Sequence, residues 1–271
     1  MKVLITGNSG YIGSHLTDIL NQEHIVYGLD TIQPVIPVEH FFDLDITQSW
    51  DLTQEFDCVV HLAALVKVGE SEVDPISYYQ SNVMGTINVL KRIKTKNFIF
   101  ASTGVAEKCI NPYGISKRAA EDCVAQHCRD NNIDYTTFRF YNVIGSRVTG
   151  PTNPDGLFYK LIEATRTGEF SIYGGDYDTV DGTAVRDYVH VDEICHAIKL
   201  AVNTPTNSIE NLGHGNGKTV KEIVKIFKDT NNVNFDVKIT NRRNGDLEIS
   251  VLNNSSLYMK KMFSFEDLLK I

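Results

Sequence analysis

The sequence predicts an α/β fold, a Rossmann-like doubly wound parallel sheet with a smaller C-terminal substrate lobe. Three observations carry the prediction. Short β-branched or aromatic runs alternate with helix-spaced segments through the first half. A glycine-rich turn follows the first of those runs directly. After about Gly145 the alternation loosens, and Gly, Pro, Asn and Asp concentrate in GSRVTGPTNPDG, as expected where a chain leaves a sheet for a second lobe.

KVLIT, HIVYGLD, HFFDLDI, CVVHLA, NFIFAST and YTTFRFYNV each read as a buried strand. Between them YIGSHLTDILNQ, SYYQSNVMGTINVLKRIK and PYGISKRAAEDCVAQHCRDNN carry apolar residues at helical spacing. Such alternation implies βαβ units and a sheet covered on both faces, with ligands at the carboxyl ends of the strands. The second half offers one clear helix, VKEIVKIFKDT, and mixed short strands, of which SIENLGHG reads as a late strand that rejoins the main sheet. The chain divides accordingly into residues 1–147 and 148–271, with the strand near 207–213 returning to the first unit.

Composition narrows the function classes. The 271 residues hold 26 Lys+Arg against 34 Asp+Glu, a net charge of -8, and no basic cluster stands out. A nucleic-acid partner is therefore not expected. The opening MKVLITG is too short for a signal-peptide core and no apolar stretch is long enough to span a membrane. Cys58, Cys109, Cys123, Cys128 and Cys195 are odd in number and form no C-x-x-C pair. They read as reduced thiols of a cytoplasmic protein, with neither a disulfide framework nor a metal site expected.

The first run leads into Gly7-Asn8-Ser9-Gly10-Tyr11-Ile12-Gly13 and then a helix. Glycines there let the backbone turn sharply and let a pyrophosphate approach the free N–H groups of the helix start. Placed between a first strand and a first helix, the triplet is a strong dinucleotide fingerprint. Asp30 ends the second strand, where a carboxylate bonds the adenosine ribose hydroxyls and repels a 2′-phosphate, favouring NAD over NADP. Asp45-Ile46 after the third strand reads equally as an adenine contact or, at Asp45, as a helix N-cap before Thr47.

Tyr113-Gly114-Ile115-Ser116-Lys117 sets a tyrosine and a lysine four residues apart on one face of a helix. An ammonium beside the phenol, with a nicotinamide cation nearby, would lower the tyrosine from its usual value of about 10 and let it accept a proton from a substrate hydroxyl.

The glycine turn, the strand ending in Ser102-Thr103 and Tyr113-x-x-x-Lys117 resemble the extended short-chain dehydrogenase/reductase superfamily. The segment Tyr173 to Val191, YGGDYDTVDGTAVRDYVHV, closely resembles a stretch of its UDP-glucose 4-epimerase family. His61-Leu62-Ala63-Ala64, Val68-Gly69-Glu70-Ser71, Asn211-Leu212-Gly213 and Arg242-Arg243-Asn244-Gly245-Asp246 continue the likeness in order along nearly the whole chain.

That resemblance implies bound NAD, a UDP-sugar substrate and epimerisation at C4 through a transient 4-keto intermediate. It makes Tyr113 the acid/base and Lys117 the residue that tunes it and holds the nicotinamide ribose, with Thr103 or Ser102 supplying a hydroxyl to the sugar's 4-oxygen. Gly7, Gly10, Tyr11, Ile12, Gly13, Asp30, Asp45, Ile46, Leu62, Ala63, Ala64 and Asn82 join Tyr113 and Lys117 as cofactor contacts. Arg186 and Arg243 clamp the diphosphate, Tyr173 lies against the uracil, and Asn142 and Asp246 bond the diphosphate and the nucleoside ribose. Ser250 stands beside the sugar's 2-substituent. The helices SYYQSNVMGTINVLK and SKRAAEDCVAQHC resemble those that pair in the superfamily's dimers, so a homodimer is expected.

The chain departs from the family in places. Only GVAEKCINP separates Thr103 from Tyr113, a family lysine near the cofactor falls on Val66 with Lys67 one place along, and an Asn-Asn pair reads Asp155-Gly156. Gly104-Val105 follow the threonine where related 4,6-dehydratases need an Asp-Glu pair, which argues against that chemistry.

Overall fold

The computed structural model describes every residue except 147, 149–155, 244 and 255. β1 (Lys2–Thr6) passes through the glycine turn into α1 (Tyr11–Leu20), followed by β2 (Ile25–Asp30), β3 (His40–Asp43) and β4 (Glu55–His61). α2 (Val68–Val73) and α3 (Pro75–Tyr79) lead through a π-helical segment, Gln80–Gly85, into α4 (Thr86–Arg92). β5 (Lys94–Thr103), a 3₁₀ turn at Gly104–Glu107, α5 (Pro112–Asp130), β6 (Asp134–Phe140) and β7 (Asn142–Ile144) complete the first half. The second half holds α6 (Leu157–Thr167), β8 (Glu169–Tyr173), β9 (Val185–Arg186), β10 (Tyr188–His190), α7 (Val191–Asn203), β11 (Ser208–Leu212) and β12 (Lys218–Thr219). It ends with α8 (Val220–Asn231), β13 (Asp236–Thr240), β14 (Ile249–Ser250) and α9 (Phe265–Leu268).

Seven strands form one sheet in the order β11-β6-β5-β4-β1-β2-β3, every pair parallel. Alternation along β1 decides which face each side chain joins. Val3 and Ile5 pack with Leu16 and Leu20 of α1 and with Ile194 and Ile198 of α7. Leu4, between them, packs with Val89 and Leu90 of α4 and Val124 and Cys128 of α5. Each fully buried aliphatic side chain of this kind stabilises the fold by roughly 1.5–3 kcal/mol. The two-sided burial explains why the strands are apolar runs and not alternating ones.

Several elements differ from the sequence expectation. α6 and α7 were not expected, since the second half was read as holding one clear helix; in α7 nine of thirteen residues are buried, and only His196, Lys199, Leu200 and Asn203 form its outward face. The run from Tyr135 to Val143 is not one strand. β6 stops at Phe140, and β7 pairs with β10 in a separate two-stranded sheet. The helix expected over 77–94 is broken by the π segment and ends at Arg92, two residues before β5 begins.

The smaller lobe has its own core, with Phe158 and Leu161 of α6, Phe170 and Ile172 of β8, Ile223 and Phe227 of α8 and Leu268 of α9. The last residues are fastened down. Tyr258 reaches the core under α7, and the Glu193 carboxylate of α7 accepts from the backbone N–H groups of Met262 and Phe263 at 2.6 and 3.3 Å. Among the described residues no helix is long and apolar enough to cross a membrane.

Candidate active site

The glycine turn sits at the carboxyl end of β1, against the start of α1. Gly7 has φ +74, and a Cβ there would lie 2.7 Å from the Ala63 nitrogen. A Cβ on Gly13 would lie 2.1 Å from the Gly7 carbonyl oxygen. Only glycine lets turn, helix and β4 end approach this closely. Tyr11 donates its hydroxyl to the Gly145 carbonyl at 2.5 Å, and Ile12 packs on the core beneath α1. Asp30 closes β2, its carboxylate accepting from the N–H groups of Ser9, Thr31 and Ile32 at 3.1, 2.8 and 3.1 Å. A cradle without room for a Cβ at a helix N-terminus, beside a fixed carboxylate, fits the pyrophosphate and ribose of a dinucleotide.

The neighbouring residues have structural partners. Asp45 accepts from the Thr47 N–H and hydroxyl, both at 2.8 Å, so it caps a turn and not a helix. Ile46 is buried and its carbonyl accepts from Asn88 at 3.0 Å. Leu62 and Ala63 donate their N–H groups to the Thr6 carbonyl and hydroxyl, and Ala64 follows in the same loop. Asn82 is fully buried in the π segment. Its amide bonds both backbone groups of Leu65, at 2.8 and 3.0 Å, and donates to Ser116 Oγ at 3.0 Å.

At the end of β5 neighbouring hydroxyls face opposite ways. Ser102 Oγ donates to Glu121 Oε1 at 2.5 Å, inside a buried pair that Glu121 makes with Arg139 at 2.7 and 2.8 Å. Thr103 lines the cavity, accepts from the Val105 N–H at 3.3 Å and lies close enough to the Tyr113 phenol to oppose its upward shift. Of the two hydroxyls, Thr103 is the one beside the phenol. Asn111 caps α5 with its carboxamide oxygen on the Gly114 N–H at 2.8 Å, which fixes where Tyr113 leaves the helix.

Without the cofactor's cation the phenol shifts the other way. In the cofactor-free chain burial pushes Tyr113 up to about 12, opposed only by the Thr103 hydrogen bond. Burial likewise brings Lys117 down to about 7, opposed by the Glu121 carboxylate, and its Nζ stands 4.3 Å from the Phe100 ring centroid. Both groups are held in a dry interior where added positive charge favours the phenolate strongly.

A cavity of about 330 Å³ opens between the sheet and the smaller lobe. Asn142, Tyr173, Arg186, Arg243, Asp246 and Ser250 all line it together with Thr103, although the sequence spreads them over more than a hundred residues. Asp246 joins the two arginines, accepting from Arg243 Nε at 2.8 Å and standing 3.9 Å from Arg186 Nη2. Arg186 is braced by the carbonyls of Val185 and Glu248 at 2.9 and 3.3 Å, so it is no surface ion pair with its neighbour Asp187. The Arg243 guanidinium lies 4.7 Å from the Tyr173 ring centroid.

Sequence reasoning missed Lys160, whose Nζ also stands 4.7 Å from the Tyr173 ring and which lines the cavity from α6. The helical spacing of LFYKLIEATRT could have placed it at the edge of that helix's apolar stripe, one turn from Leu157 and Ala164. Val66 lines the cavity, while Lys67 points away to Glu70 at 3.4 Å. Of the Asp155-Gly156 pair, Gly156 lines the cavity and Asp155 falls outside the described residues.

A glycine cradle at the head of a parallel sheet, a buried Tyr–Lys pair and a cationic cavity at the strand ends make up a dinucleotide-dependent α/β enzyme. The chain belongs to the NAD dependent epimerase/dehydratase family, whose model matches residues 3–213. It is 31% identical over 296 aligned positions to a UDP-glucose 4-epimerase of Haemophilus influenzae, covering 91% of this chain and 88% of that protein. Its fold is similar to a UDP-glucose 4-epimerase of Bifidobacterium longum in complex with NAD+ and UDP, with a TM-score of 0.88 and 26% identity, covering 99% and 96% of the two chains. It is also similar to a UDP-N-acetylglucosamine 4-epimerase of Methanobrevibacter ruminantium in complex with UDP-N-acetylmuramic acid, with a TM-score of 0.85 and 26% identity over 99% and 95%.

Proposed function

We infer that this protein epimerises a UDP-hexose at C4, interconverting UDP-galactose and UDP-glucose and admitting their N-acetyl forms, with NAD held throughout. The observation that carries the reading is the placing of Thr103, beside the Tyr113 phenol, at the wall of the cavity that Arg186, Arg243 and Tyr173 also line. Related proteins that bind NAD and UDP-sugars support it.

Bound NAD supplies a reversible two-electron acceptor at the sugar carbon. Tyr113 takes the proton from the 4-hydroxyl and later returns it, with Thr103 fixing the 4-oxygen in line. Lys117 holds a positive charge behind the phenol, and together with the cofactor's ring offsets the burial that raises Tyr113. Gly7, Gly10 and Gly13 cradle the pyrophosphate at α1, and Asp30 takes the ribose. Arg186 and Arg243 grip the substrate diphosphate bidentately once it displaces their contact with Asp246, while Tyr173 stacks on the base. Firm contacts on UDP and few on the hexose leave the sugar free to present either face.

We assign residues 1–147 to NAD binding and 148–271 to the nucleotide sugar, with α7 and β11 returning to the first unit. We place a homodimer on the α4 and α5 faces, tested by light scattering: a mass near 30.4 kDa at micromolar concentration would reject it. The five cysteines, none of them in a disulfide, suit a cytoplasmic setting, which localisation by fractionation tests. The decisive experiment is incubation of the purified protein with UDP-galactose without added reductant. UDP-glucose should appear, and its absence with NAD bound would remove the reading.

A further inference from the structure

Between the dinucleotide turn and the helix that carries Tyr113 lies a buried chain of polar groups that the proposed chemistry does not use. His61, at the end of β4, is 1% exposed. Its Nδ1 meets Thr6 Oγ1 at 2.6 Å and its Nε2 meets Thr86 Oγ1 at 2.9 Å. The direction of every bond follows from which groups can donate. Thr86 gives its one hydroxyl hydrogen to the Asn82 carbonyl at 2.7 Å, so towards His61 it can only accept. Nε2 must therefore carry a proton.

Burial and the charge of Lys117 bring the His61 imidazolium down to about 3, so the ring is neutral and Nδ1 is bare. Thr6 then donates its hydroxyl to Nδ1, leaving its lone pairs for the Ala63 N–H at 3.3 Å. On the far side, Asn82 donates to Ser116 Oγ at 3.0 Å, and Ser116 donates to the Tyr113 carbonyl at 2.8 Å. Thr6 precedes Gly7, and Ala63 is the residue that a Gly7 Cβ would strike.

We propose that His61 is a positioning residue whose neutral Nε2–H tautomer ties the dinucleotide turn to the start of α5, so that one side of the ring sets the cofactor cradle and the other sets Tyr113. The inference rests on reading Gly7 as the cofactor turn and Tyr113 as the acid/base. Each ring nitrogen acts on a different end, because the hydroxyls on its two sides lead to different elements. No alternative arrangement satisfies every buried group in the chain, and an unsatisfied one would be costly.

Two measurements test it. The first needs no activity: in the purified protein at pH 7, the ¹⁵N resonances of the His61 ring should report a protonated Nε2 and a bare Nδ1. A protonated Nδ1, or an imidazolium, overturns the proposal. The second uses two substitutions that each keep one half of the ring's bonding. His61→Asn can present an amide oxygen near the Nδ1 position, and His61→Gln an amide nitrogen near that of Nε2. The expected pattern is crossed. Asn should lower kcat per bound NAD by about tenfold more than Gln does, and Gln should weaken NAD binding by about tenfold more than Asn does.

A role in folding alone would lower the melting temperature of both variants and reduce both readouts in parallel, and that result rejects the positioning role. If neither variant folds, the tautomer measurement on the unaltered protein still decides. A wild-type protein that binds NAD yet converts no UDP-sugar would remove the proposed function and leave the tautomer and the NAD half of the cross standing as tests of the chain.

Discussion

Ser102 and Thr103 are consecutive on β5, yet one hydroxyl is spent on the buried Glu121–Arg139 pair at 2.5 Å and the other faces the Tyr113 phenol. Strand alternation forces the division, since neighbouring side chains leave a sheet on opposite sides. The two substitutions should therefore read out in different quantities. Thr103→Val should cut turnover by roughly 10–100-fold, the scale of a lost hydrogen bond to a developing charge, with little change in melting temperature. Ser102→Ala should instead cost about 1–3 kcal/mol of stability by leaving a buried carboxylate short of a donor. Tyr113→Phe should lose about 10²–10⁴-fold in turnover while UDP still binds. Steady-state assays beside thermal melts separate these outcomes, and a Ser102→Ala enzyme impaired in turnover but not stability would reverse the assignment.

Much of this was legible in the sequence, for reasons that can be named. The glycine turn was readable because each glycine answers a backbone requirement: φ +74 at Gly7 and a 2.1 Å approach at Gly13 leave no other residue possible. Arg186 and Arg243 were readable only through family likeness, since nothing in their spacing says that β9 and the segment before β14 meet at one cavity. The choice between Ser102 and Thr103 was not readable, because it depends on where Glu121 projects from a helix nineteen residues downstream. The upward shift of Tyr113 in the cofactor-free chain was not readable, because spacing reports the nearby lysine and is silent on how dry the site is. α7 escaped although its outward residues His196, Lys199, Leu200 and Asn203 keep a helical spacing, because that face is narrow and includes the apolar Leu200.

Lys117 gives a stability signature in the cofactor-free protein. Its folded value, about 7, lies below the ordinary 10.5 that it regains on unfolding. Below pH 7 the ammonium is charged in both states and its burial cost is fully present. From pH 7 to about 10 the unfolded chain binds a proton that the folded chain has released, so stability rises with pH, by up to ~1.4 kcal/mol per unit from this group. Lys117→Met removes the cost. The variant should be more stable than wild type at pH 7, and its advantage should shrink towards pH 10. Urea unfolding across that range checks the sign; a difference independent of pH would mean that the ammonium is not desolvated.

The cradle makes its own prediction. Gly7→Ala places a side chain at positive φ and drives a Cβ into the Ala63 backbone, a strain of about 1–3 kcal/mol that the turn can relieve only by opening. Acid extraction of wild-type protein should release NAD, and extraction of the variant should release little. Release of NADP from the wild type would contradict the reading of Asp30, whose carboxylate is fixed by three N–H donors beside the turn.

We propose that sugar choice turns on Ser250. Family likeness puts a size gate beside the sugar's 2-substituent at this position, and the strand's register decides whether the serine can fill it. In β14, Ser250 pairs with Arg186 of β9 and lines the cavity, while its carbonyl accepts from the Asp187 N–H at 3.0 Å. Ile249 is 46% exposed, and Val251 packs where a Cβ on Gly217 would stand. The two apolar neighbours thus share the face away from the cavity, and a slip of one residue would bring both inward and carry Ser250 out. With the small serine inward, the proposed gate should admit an N-acetyl group. Ser250→Tyr should therefore suppress turnover of UDP-N-acetylgalactosamine while sparing UDP-galactose, by roughly 10-fold or more in the ratio of kcat/KM values if the bulk costs 1–3 kcal/mol in a filled pocket. Kinetics on the two substrates with one preparation decide it. Equal loss on both, or none on either, would take Ser250 out of the gate and leave the size of the sugar pocket to Val66 and Leu247, which line the same cavity.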